Sequence, residues 1–157
     1  NSSSPIIDTI KSRSIEFKIF FNTQEKKEIF EEISDANSLS FASNHINEAF
    51  SFDTPGNILK YVSMLESTNL DFTKDFSKCI LHFLEMYRVK KNTEFLTYAS
   101  LFVEKYYADL SLKNKKYLSH YDVSKNSILT LFNNTKKYNL DKKNLSFATK
   151  EILNQNA

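Results

Sequence analysis

Residues 92–110 read NTEFLTYASLFVEKYYADL, and this stretch decides the fold. Asn92-Thr93 is a helix-capping pair, and behind it Leu96, Ala99, Val103, Tyr106 and Leu110 recur at spacings of three and four. That period is helical, and the stripe it makes is the narrow apolar seam of a helix packed in a bundle. A break is expected near Ser111. Beyond it Tyr117, Tyr121, Ser124, Ile128, Leu131, Thr135 and Tyr138 repeat the spacing. Ser124 and Thr135 are polar, so this second seam either meets solvent partway or hydrogen-bonds within the core. Asp141 is positioned to cap a short final helix carrying Leu145, Ala148 and Ile152.

The same period extends upstream. Phe72, Phe76, Ile80, Phe83 and Tyr87 mark a helix whose last turn holds Arg88, Lys90 and Lys91, cations that complement the helix dipole. The chain turns before it, around Thr68 to Asp71. Thr54 is expected as an N-cap and Pro55 as the first residue of a helix carrying Ile58, Val62 and Leu65. Ser4-Pro5 opens an N-terminal helix with Ile7, Ile10, Phe17 and Phe21 on one side. Asn22, with Glu25 three residues on, restarts or kinks it, and the apolar pattern shifts to Ile29, Ile33 and Ala36. A further helix runs through Leu39, Ala42, Ile46 and Ala49.

No repeat, low-complexity segment or long linker divides these stretches, so residues 1–157 read as one domain. The predicted fold is all-α, an antiparallel four-helix bundle with additional short helices in the connections. Its core is aromatic-heavy, drawing on 14 Phe and 8 Tyr, with Ala42, Ala49, Ala99 and Ala148 as small partners.

Composition excludes several classes. One Gly cannot punctuate a β-sandwich or barrel, nor build a phosphate loop or a dinucleotide fingerprint. A lone Cys79 forbids an internal disulfide and any CxxC site. The net charge is +2, yet residues 1–79 hold 8 basic and 12 acidic residues while residues 80–157 hold 13 and 7. No apolar run reaches membrane-spanning length. The chain starts at Asn1 without Met or an apolar signal core, so a signal peptide is expected to have been removed upstream.

Four groupings bear chemistry. Cys79 and His82 share a helical face, but Phe76, Ile80 and Phe83 around them argue for a buried structural thiol. His45 with Glu48 and His82 with Glu85 reverse the Glu-x-x-His order of bundle di-metal sites, and no further seam carboxylates complete one. Glu25, Glu28, Glu31, Glu32 and Asp35 read as a solvated face interleaved with Lys26 and Lys27, with a partner-docking stripe as the sharper alternative. The lysines Lys113, Lys115, Lys116, Lys136, Lys137, Lys142 and Lys143 read first as the solvated back of a helix whose tyrosines occupy the seam. Their functional reading is contact with an anionic membrane or glycan surface, ahead of nucleic acid. No catalytic, cofactor or metal site is expected. Three N-glycosylation sequons, at Asn1, Asn133 and Asn144, matter only in a glycosylating compartment.

The chain carries 19 Lys against 2 Arg, and 16 Asn, a bias of A/T-rich codons. Phrases such as Lys113-Asn114-Lys115-Lys116-Tyr117 and Asn133-Asn134-Thr135-Lys136-Lys137-Tyr138-Asn139 share it. In this style, over its whole length, the chain resembles the malaria-parasite sporozoite proteins essential for cell traversal, the small secreted kind rather than the perforin-like one. The resemblance rests on composition and size rather than a motif, so no functional residue carries over. It implies a non-enzymatic four-helix bundle released from secretory organelles and acting while sporozoites cross host cells, with partners left unspecified; the expected contact is with a host membrane or a protein partner. An intracellular helical adaptor, docking partners through the acidic face or the basic tail, is the rival expectation.

Overall fold

The computed structural model describes residues 21–36, 53–65, 68 and 70–155. Every regular element among them is a helix: α1 (Thr23–Ala36), α2 (Pro55–Leu65), α3 (Phe76–Lys90), α4 (Glu94–Lys113), a single 3₁₀ turn (Lys115–Tyr117), α5 (Leu118–Tyr138) and α6 (Lys142–Asn154). The expected helices from Ser4 and from Leu39 to Ala49 lie outside the described residues.

Local chemistry starts and stops these helices. At α1 the Asn22 amide donates to Glu25 Oε2 at 2.7 Å, and the Glu25 amide donates to Asn22 Oδ1 at 2.9 Å. This reciprocal box is a helix start rather than a kink. Thr54 Oγ1 accepts from the Asn57 amide at 3.3 Å ahead of Pro55, and Asp141 Oδ1 accepts from the Lys143 and Asn144 amides at 2.7 and 2.9 Å. With one Gly in the chain, the left-handed residues that end α3 and α5 are Lys91 (φ 55°) and Asn139 (φ 49°). Asn tolerates that conformation better than Lys does.

α4 is the central element, packing along α3 on one side and α5 on another, while α6 packs on both α3 and α5. Here the narrow seam expected for residues 92–110 needs correction. Leu96, Ala99 and Val103 are buried as expected, but so are Phe95, Tyr98, Phe102, Lys105 and Tyr107. A second face is occupied because α2 also covers α4. Tyr61 sets its ring edge-on to Phe102 with centroids 5.4 Å apart, and it meets Tyr98 at 6.0 Å. Phe83 joins the same cluster, 5.6 Å from Phe102 and 5.5 Å from Tyr98. Offset and edge-on pairs like these add to the area that each ring buries.

Other boundaries shift slightly. α4 continues past Ser111 to Lys113, and Asn114 ends it. Phe72 is buried but sits in the turn before α3. α6 buries Leu145, Thr149 and Leu153, so its stripe advances one residue relative to Ala148 and Ile152. On α5 the two polar seam positions take the hydrogen-bonding alternative: buried Ser124 bonds to the Tyr107 hydroxyl, and Thr135 Oγ1 donates to the Leu131 carbonyl at 2.8 Å. The seam's two ends, Tyr117 and Tyr138, are exposed instead of packed.

Candidate functional site

The seven lysines expected at an anionic surface do not form one patch. Lys113, Lys115 and Lys116 cluster at the α4–α5 junction, whereas Lys136, Lys137, Lys142 and Lys143 flank the α5–α6 junction. α5 separates the two groups by its 21 residues, or roughly 30 Å at 1.5 Å per residue.

The two ends differ in how their charges are engaged. Lys113 pairs with Asp109 at 2.6 Å; Lys116 lies over the Tyr117 ring just as Lys137 lies over that of Tyr138 at the other end, so the ion pair is what differs. At the α5–α6 end, none of Lys136, Lys137, Lys142 and Lys143 forms an ion pair among the described residues. Asp141, the acid between them, is committed to capping α6, and its carboxyl is held below the usual range by the Asn144 and Lys143 amides. Lys142 Nζ stands 5.1 Å from the Tyr87 ring centroid, which brings the last turn of α3 to this end. That turn adds Lys90 and Lys91, two cations the lysine set did not include. Their proximity was legible only as a dipole signal on α3.

The other groupings resolve toward structure. Cys79 is fully buried, and burial pushes its thiol up to about 12. His82 Nε2 is buried with no hydrogen-bond partner, and desolvation lowers the pKa of the ring. A neutral thiol beside a neutral imidazole is the opposite of an activated pair. Glu85 pairs with Arg88. His45 and Glu48 lie outside the described residues, and among those described no three His, Cys, Asp or Glu side chains gather as metal ligands. On α1, Glu25, Glu28, Glu32 and Asp35 are exposed, and Glu31 approaches Lys27 at 3.8 Å. Asn133 and Asn144 of the sequons are both exposed on helices; Asn1 lies outside the described residues. No described helix is long and apolar enough to cross a membrane.

Sequence reasoning missed Lys105. Its side chain is only 6% exposed, with Nζ 5.7 Å from the Tyr61 ring centroid and 5.9 Å from that of Phe102. Burial lowers its pKa to about 7. The sequence held no signal for this, because Lys105 falls off the seam that residues 92–110 display.

Compared with known proteins, the chain matches no family model, and neither a curated protein nor a solved structure aligns with it significantly.

Proposed function

We propose that this chain is a non-enzymatic, secreted helical-bundle protein that acts as malaria sporozoites traverse host cells, by contact with a membrane and through opening of a marginally stable bundle. α3, α4, α5 and α6 form its antiparallel four-helix core, with the 3₁₀ turn among the connections. Support for that arrangement comes from the packing of α3 and α5 each against both α4 and α6, and from connections of only a few residues.

The observation that carries the opening mechanism is the polar content of the core. The Thr149 hydroxyl is completely buried on α6 without a hydrogen-bond partner, and His82 Nε2 is likewise unmatched. Each such group costs free energy in the closed state and recovers water on opening. Ser14, a polar position between Ile10 and Phe17 in the N-terminal stripe, lies outside the described residues. Vesicle co-sedimentation with dye leakage, alongside thermal unfolding, tests the proposal. Binding with leakage and a spectroscopic change supports it. A high unfolding temperature with no change on adding anionic vesicles sinks it. Replacing Cys79, His82 and His45 together should leave traversal activity intact; loss of activity with the fold preserved would restore an enzymatic reading.

The adaptor reading draws on the exposed acidic face of α1, where Glu25, Glu28 and Glu32 border a shallow groove containing Phe21 and Ile29. A single stoichiometric protein partner captured by the chain, with no lipid binding, would favour it.

A further inference from the structure

We infer that the end of the molecule where α3 and α5 finish and α6 begins is a docking face for anionic phospholipid bilayers, and that the opposite end of α5 is not. This rests on the membrane reading above and says which surface makes the contact.

Two properties coincide there. The first is an excess of positive charge. Lys136, Lys137, Lys142 and Lys143 are joined by Lys90 and Lys91 through the Lys142–Tyr87 contact, and none of the six enters an ion pair among the described residues. Of the nearby acids, Glu85 pairs with Arg88 and Glu94 with Lys60, while Asp141, ionised as the α6 cap, offsets one of the six cations. The second is apolar side chains held in water. Val89 is 66% exposed, Tyr138 60% and Leu140 44%, each within a turn of these lysines.

Lysines around protruding apolar groups match an anionic interface in both respects. The ammonium groups meet lipid phosphates and carboxylates while Val89, Leu140 and the Tyr138 ring reach the acyl boundary. Tyr138 is an amphipathic ring of the kind favoured at that depth. A nucleic acid would use the charge but leave the aliphatic side chains without a partner. The opposite end also exposes Leu112, Tyr117 and Leu118, but Lys113 is neutralised by Asp109. Only Lys115 and Lys116 remain there, too few for the same attraction.

The test is co-sedimentation of the whole chain with vesicles of phosphatidylcholine alone and of phosphatidylcholine with about 30% phosphatidylserine. Wild type should bind the anionic vesicles only, less tightly at high salt. K136Q/K137Q/K143Q, all at exposed positions, should lose roughly fivefold per lysine, on the order of 100-fold together. Y138S/L140S should weaken binding while retaining its salt dependence. The matched set K113Q/K115Q/K116Q should bind as wild type, and circular dichroism should show every variant folded. Equal losses from the two lysine sets, or equal wild-type binding to neutral vesicles, would overturn this assignment while leaving membrane contact standing. Absence of wild-type binding to either vesicle overturns both.

Discussion

Lys105 and Tyr61 meet in the interior, the ammonium 5.7 Å from the ring centroid, although α2 and α4 are separated in the chain by all of α3. The face of an aromatic ring suits a cation, but desolvation is the larger effect and lowers the Lys105 pKa to about 7 from an ordinary 10.5. Between those values the unfolded chain holds a proton that the folded chain has released, so stability rises with pH across that window. From about pH 6.5 to 8.5 the gain should be about 2 kcal/mol, read from urea midpoints. Above about pH 9 the unfolded Cys79 thiol ionises while the buried one, with its pKa raised to about 12, keeps its proton, which opposes the remaining Lys105 gain and flattens the rise toward pH 10.5. Lys105→Met should flatten the rise and stabilise the protein at pH 6.5 by about 1–4 kcal/mol.

Thr149 is fully buried with its hydroxyl unmatched. Thr149→Val keeps the shape and removes the unmatched group, so it should stabilise by about 1–3 kcal/mol in chemical denaturation. If opening of the bundle drives membrane action, this variant should also release vesicle dye more slowly than wild type. A stabilised variant that leaks as fast would separate the membrane activity from opening.

Phe102 is contacted by the rings of Tyr61, Phe76 and Phe83. Truncation to Ala removes the common member of that cluster and leaves a cavity between α2, α3 and α4. Phe102→Ala should cost about 3–5 kcal/mol, and Phe102→Leu clearly less. A loss under 1 kcal/mol for the Ala variant would mean that this ring cluster of α2, α3 and α4 is not packed in solution.

Cys79 should be inert in the native state. A thiol whose pKa rises from 9.0 to about 12 has a thiolate population lower by about a thousandfold, before its lack of exposure is counted. Aromatic disulfide reagents at mild alkaline pH should label it only as fast as the bundle opens. The labelling rate therefore reports opening directly, and Thr149→Val should slow it.

The caps show how far local reading reaches. Asp141→Ala should lower the urea midpoint while Asp141→Asn preserves most of it, because either side chain can accept from the Lys143 and Asn144 amides but a methyl cannot. The helix starts at Asn22–Glu25, Thr54–Pro55 and Asp141 were legible because each depends on partners at most four residues away. The apolar period of three and four likewise marked α2 to α6, since a helix repeats its own faces whatever surrounds it.

Which faces would be covered was a different matter. The seam at Leu96, Ala99 and Val103 is written in the sequence. The burial of Phe102 and Lys105 on another face exists only because α2 and α3 pack there as well. The seven lysines share a composition, yet the length of α5 parts them into two ends, and the Lys142–Tyr87 contact recruits Lys90 and Lys91 to one of them. The sequence by itself determined where the capped helices begin and that they repeat with a helical period, through hydrogen bonds and side-chain spacing inside a single turn. Tertiary structure alone decided which charges gather and which polar groups lose water, because those depend on neighbours tens of residues away in the chain.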